Sequence, residues 1–137
     1  LAAHTNGRTT MTVTIFDSED MQGNTEIVTI EVLSSNNAPV FDYAVATPIR
    51  VPQDCEPQTI PVFLRNVNPA PGQALDEFNV QDMTIQAGTP SRPEIFQVIP
   101  SVQFSGENSA SLRFTCKPGM SGSSNQTITL ADDGGTF

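Results

Sequence analysis

The chain has 137 residues, the length of one ordinary domain or of one domain with part of a second. Only 15% of residues are charged, and 15 carboxylates against five Arg and one Lys give a net charge of −9, which repels phosphate backbones and anionic membrane surfaces and excludes nucleic acid as an expected partner. No apolar run reaches membrane-spanning length and no charged-then-apolar leader opens the sequence, so neither membrane insertion nor an intact signal peptide is expected.

Val, Ile and Thr number 35 against six Leu, which favours pleated sheet, because branched Cβ atoms lose rotamers in a helix and pack well on a strand. Eleven Pro and nine Gly punctuate the chain often. Met11, Val13 and Ile15 alternate with Thr10, Thr12 and Thr14, and Val28, Ile30 and Val32 alternate with Thr29 and Glu31. The polar stretch 17–24, containing Gly23, reads as the loop of a hairpin between them. Ser34-Ser35-Asn36-Asn37 is a polar break, placed here as a linker between residues 1–33 and a domain at 38–137.

Beyond the break the strands continue. Residues 40–43 and 49–51 read as one interrupted edge strand limited by Pro48 and Pro52. Residues 58–65 place Ile60, Val62 and Leu64 on one face, with Pro61 marking an edge or a distortion. Residues 78–87 carry Val80, Met83 and Ile85 with a phase slip that suggests a bulge. Residues 96–99 and 102–104 read as short strands split by Pro100, followed by Leu112, Phe114 and Cys116 in alternation, and then by Ile128 and Leu130. No stretch holds a 3.6-residue period, and many short strands at this spacing predict an all-β sandwich.

The two ends of the chain resemble each other. Residues 7–17 align without gaps on residues 122–132, an offset of 115; Gly7/Gly122, Thr12/Thr127, Thr14/Thr129 and Asp17/Asp132 are identical, and Val13/Ile128 and Ile15/Leu130 are equivalent apolar positions expected in a core. The offset is the size of one immunoglobulin-like sandwich with a short linker. It follows as an expectation that residues 1–33 are the last strands of one repeat. Residues 38–137 are then the next repeat without a counterpart of residues 24–32, and the chain is a piece of a longer tandem array.

Asn36-Asn37-Ala38-Pro39-Val40-Phe41 resembles the inter-repeat junction of cadherin-like domains. Pro118-Gly119-Met120-Ser121-Gly122, residues 126–130 and Asp132-Asp133-Gly134-Gly135-Thr136 resemble the C-terminal half of immunoglobulin-like repeats in giant extracellular proteins of bacteria and protists, and Phe96, Pro100, Leu112 and Phe114 fit the same pattern. The resemblance implies an immunoglobulin-like Greek-key sandwich whose second and fifth strands are antiparallel neighbours. Cys55, before one of these strands, and Cys116, at the end of the other, then meet as a disulfide in an oxidising, extracellular setting.

Asn125-Gln126-Thr127 is a glycosylation sequon. A calcium ion needs six to eight oxygens, whereas the linker carries Ser and Asn where a cadherin places acids. Asp17, Glu19 and Asp20, and Asp132 with Asp133, offer only a weak alternative, so no resident metal or cofactor is expected, with calcium the one ion considered. The single His, His4, and the lack of a nucleophile or phosphate-loop motif argue against an enzyme; Asp76, Glu77 and Asp82 read as polar positions flanking a strand rather than a glycosidase pair. The expected role is a structural spacer of an extracellular rod or filament, such as a cell-surface fibre or flagellar hair. Its partners are neighbouring repeats, other copies or other extracellular structural proteins. The rival roles are a ligand-binding adhesin domain and an accessory domain of a secreted hydrolase.

Overall fold

The computed structural model describes residues 6–72, 74, 76–78 and 80–134. Gly135 and Thr136 of the C-terminal motif, and His4, lie outside them. The described chain is all-β, with eight strands and one 3-10 turn at Pro93–Ile95. The strands are β1 (Gly7–Phe16), β2 (Gln22–Val32), β3 (Val40–Tyr43), β4 (Gln58–Asn68), β5 (Met83–Ala87), β6 (Phe96–Gly106), β7 (Ser109–Cys116) and β8 (Ile128–Asp132).

Strands β1 and β2 form a two-stranded antiparallel ribbon with Met11 opposite Val28 and Thr9 opposite Ile30. β2 begins at Gln22, earlier than the expected loop 17–24 allows, because Asp17 closes a tighter turn. Its Oδ1 accepts from the Glu19 N–H at 2.8 Å and the Met21 N–H at 2.9 Å. The ribbon lays neither face on another strand, so Val13 and Ile15, expected in a core, are 42% and 67% exposed.

Strands β3, β4, β7 and β6 form one antiparallel sheet in that order, and β5 pairs with β8 in another. Phe63 and Leu64 of β4, Val102 of β6 and Ala110, Leu112 and Phe114 of β7 form the core, with Cys55. Met83, Ile85, Ile128 and Leu130 pack onto it from the second sheet, which makes the two sheets a sandwich.

Four strand readings need correction, each through backbone pairing. Residues 58–65 do not keep one apolar face: the β4–β7 register shifts between Ile60 and Leu64, so Val62 is 47% exposed while the adjacent Phe63 and Leu64 are both buried. Pro61 sits in this bulge within an interior strand, and its carbonyl accepts from Ser105 Oγ at 2.8 Å. Pro100 does not split its segment, because β6 is an edge strand and tolerates a missing N–H; the register slips between Val98 and Ser101. Residues 76–78 and Val80 lie in turns or bends and Val80 is exposed, so β5 starts only at Met83. Residues 49–51 join no ladder, leaving β3 as the edge strand.

The 115-residue repeat has conformational counterparts. Gly7 and Gly122 hold φ of 141° and 144°, a region open essentially to glycine. At the other end, Asp132 Oδ1 accepts from the Gly134 N–H at 3.0 Å, the same two-residue turn bond that Asp17 makes to Glu19. The two segments differ in paired length: β1 pairs along its length with β2, whereas its equivalent is a strand only over Ile128–Asp132, where β5 supplies a partner.

Cys55 and Cys116 form a disulfide with Cα atoms 5.1 Å apart, tying the segment before β4 to the end of β7. Closing a separation of 61 residues stabilises the fold by about 4 kcal/mol through loop entropy. A double Cys55→Ala, Cys116→Ala variant should lose close to that amount in urea unfolding; a loss below about 1 kcal/mol would show that the link adds little to the sandwich.

Candidate functional site

The densest polar cluster among the described residues lies where the linker 34–37 meets the sandwich. Its acidic residues, Asp76 and Glu77, come from a segment that reads in the sequence as strand flank. The Ala74 N–H donates to the Pro71 carbonyl at 2.9 Å and the Glu77 N–H to the Ala74 carbonyl at 3.3 Å, so successive turns wind over the buried Ala70 and Ala74. These turns aim the Glu77 side chain inward, where the residue is only 3% exposed.

A buried carboxylate is costly unless donors replace its water. Glu77 has them. The Asn37 N–H lies 3.1 Å from both Oε1 and Oε2, Asn37 Nδ2 donates to Oε1, and Gln81 Nε2 donates to Oε2 at 3.2 Å. Gln81 Nε2 also reaches Asn36 Oδ1 at 2.9 Å, and Asn36 Nδ2 donates to Asp132 Oδ1 at 3.1 Å. Ser34 Oγ donates to Asp76 Oδ2 at 2.7 Å, and Asn6 Nδ2 donates to the same oxygen from the start of the ribbon. Both asparagines of the linker are thus gripped by the sandwich, and Asp76 touches the two segments that flank the ribbon.

Asp76 and Glu77 therefore do more than flank a strand; they hold residues 34–37 against the sandwich. No local pattern marks this role, because it depends on a contact 40 residues away in the chain. Asp82 contributes its backbone: its N–H donates to Asp133 Oδ1 at 2.8 Å, and the Asp133 N–H returns a bond to the Asp82 carbonyl at 3.1 Å. Asp17 is used in its own turn, and Glu19 and Asp20 are exposed beside it. Among the described residues no three acidic, His or Cys side chains are grouped to hold a metal ion. Asn125, the sequon residue, is exposed; its N–H donates to Ser91 Oγ at 3.0 Å and its carbonyl accepts from the Ser91 N–H at 2.8 Å.

A second feature is an apolar cleft of about 760 Å³ that opens into the sandwich core. Its deep wall includes Phe63, Leu112 and Phe114, and its mouth runs between the unpaired segment 47–53 and the segment 120–126. β8 pairs with β5 along one edge, and no described strand pairs with its other edge.

Removing the Glu77 carboxylate leaves the Asn37 N–H without an acceptor and takes one of two acceptors from each of the half-buried side-chain amides of Asn37 and Gln81, which keep the Ser35 carbonyl and Asn36 Oδ1. Glu77→Ala should destabilise the sandwich by about 1–3 kcal/mol in urea unfolding and abolish hydrogen-exchange protection of the Asn37 amide. Unchanged protection of that amide would mean the carboxylate does not hold the linker. No protein-family profile, curated protein or solved structure matches this chain.

Proposed function

We propose that this chain is a structural spacer and assembly module of a long extracellular tandem-repeat protein, built into a rod or filament such as a cell-surface fibre or flagellar hair. The observation that carries the reading is the grip of buried Glu77 on Asn37, reinforced by Gln81 and Asp132 on Asn36. A four-residue linker free in solvent is a flexible coil. A linker whose asparagines are bonded into a sandwich transmits orientation, which is what a stiff array requires.

The strand order supports an immunoglobulin-like Greek key. Taken as A to F, strands β3 to β8 give one sheet in the order A-B-E-D and another containing C and F. On that reading β1 and β2 are the F and G strands of a preceding repeat. The matched φ at Gly7 and Gly122 and the matched turns at Asp17 and Asp132 support the same assignment. The disulfide favours an oxidising compartment, and the exposed Asn125 fits a glycan directed to solvent. Neighbouring repeats and other copies are the natural partners, and the role needs no catalytic step.

Backbone relaxation by NMR tests the spacer. Asn36 and Asn37 should show order parameters of about 0.85, as in rigid backbone, falling below about 0.6 in Glu77→Ala. Low values in the unsubstituted chain would defeat the rod and favour a loosely tethered adhesin domain. A chelator should leave the melting temperature unchanged, because hydrogen bonds hold residues 36 and 37; a drop would show that calcium stiffens the segment. In a eukaryotic secretory host the protein should carry one N-glycan that disappears in Asn125→Gln.

A further inference from the structure

Asn6-Gly7 leads into the ribbon, and nowhere else in the sequence does an asparagine precede a glycine. We propose that Asn6 is a self-modification site, whose side-chain amide becomes a carboxylate by cyclising onto the Gly7 nitrogen, and that the new charge releases the start of β1 from Asp76. The inference goes beyond the spacer reading and does not rest on it. In the first step the deprotonated Gly7 nitrogen attacks Cγ of Asn6, the Cγ–Nδ2 bond breaks, and ammonia leaves with the proton, giving a five-membered cyclic imide. Water then adds across one of the two ring carbonyl–nitrogen bonds, leaving aspartate or isoaspartate. Water is the one co-reactant, and nothing is oxidised or reduced.

Sterics favour the reaction at this residue. A side chain on the following residue shields the attacking nitrogen, and each of the other eight asparagines is followed by a residue that carries one. Gly7 carries none. Asn6 and Gly7 are both exposed, and outside its chain neighbours no atom lies within 4 Å of the point where a Cβ on Gly7 would stand. The backbone requires the glycine but not the asparagine. Gly7 holds φ of 141° and its counterpart Gly122 holds 144°, yet the residue before Gly122 is Ser121, which cannot cyclise in this way. A labile dipeptide thus stands where an inert one serves the same geometry.

Asn6 also sits where a new charge has an effect. Its Nδ2 donates to Asp76 Oδ2, the oxygen that accepts from Ser34 Oγ at 2.7 Å. Conversion removes one of these two donors and sets a second carboxylate against the first, an arrangement in which like charges repel. The salt bridge among the described residues joins Arg92 to Glu94, so no cation there neutralises Asp76. Isoaspartate further lengthens the backbone by one methylene directly before Gly7, where pairing with Val32 begins the ladder. The bonds from Asn37 to Glu77 share no atom with this contact. The modification therefore frees the start of the ribbon and leaves residues 36 and 37 held.

The test ages the folded full chain in warm, mildly alkaline buffer and maps it by mass spectrometry after trypsin. The peptide ending at Arg8 should gain about 1 Da and split into two products of equal mass. It should convert roughly tenfold faster, or more, than any peptide carrying another asparagine, because only Gly7 lacks a shielding Cβ. The rate should rise with pH, since the attacking nitrogen must lose its proton. Asn6→Ser should abolish the mass gain in that peptide without changing sandwich melting. Asn6→Asp, which installs the charge at once, should lower the NMR order parameter of the Gly7 amide while that of Asn37 holds. Adding Asp76→Asn to it, which exchanges donor and acceptor, should restore the Gly7 value. Conversion at residue 6 no faster than at the other asparagines overturns the site. A Gly7 amide as ordered in Asn6→Asp as in the unsubstituted chain, or no recovery with Asp76→Asn, overturns the release.

Discussion

A strand exists only as far as another backbone satisfies its N–H and C=O groups, and this requirement governs the molecule. Two stretches of related sequence, one starting at Gly7 and the other at Gly122, begin with the same glycine geometry and end in the same aspartate-closed turn. The first is ten residues of strand because β2 runs beside it. The second is five residues of strand because β5 is its only partner among the described residues, and residues 120–126 before it run along the mouth of the cleft. The length of each strand thus follows the length of backbone lying beside it.

The other organising element is a carboxylate placed where a charge is expensive. Apolar packing would hold the linker without fixing its direction, since burial is roughly isotropic. Glu77 instead accepts from a backbone N–H and from the side-chain amides of Asn37 and Gln81, each with directional geometry, and the network runs on through Asn36 to Asp132 at the end of β8. Linker orientation and the end of the second sheet are thereby coupled. Each member of this junction is polar and directional, and Ser34, Asn36 and Asn37 supply donors to its carboxylates.

The all-β class, the hairpin, the break at residues 34–37 and the Cys55–Cys116 pairing were legible because each rests on short-range pattern or on strand order. The errors came at prolines and turns. Pro100 reads as a strand breaker and lies on an edge, where its missing N–H costs nothing; Pro61 reads as an edge or a distortion, and the structure makes it a distortion, a bulge in an interior strand. Alternation placed Val62 with Leu64, but the bulge turned Val62 outward and brought Phe63 and Leu64 both into the core. The anchoring role of Asp76 and Glu77 left no local trace, because Asp76 bonds to Asn6 and Ser34 and Glu77 to Asn37, all distant in sequence.

By itself the sequence determined which segments are extended, where glycine and aspartate must bound them, and that its two ends share one pattern, because dihedral preference and period-two burial act within a few residues. Only the tertiary structure decided which edges find partners, which apolar faces are covered and which carboxylate is buried. Those outcomes depend on hydrogen bonds and contacts between residues far apart in the chain, and the same alternating apolar pattern serves equally for a side chain packed against the core at Ile128 and for an exposed ribbon face at Val13.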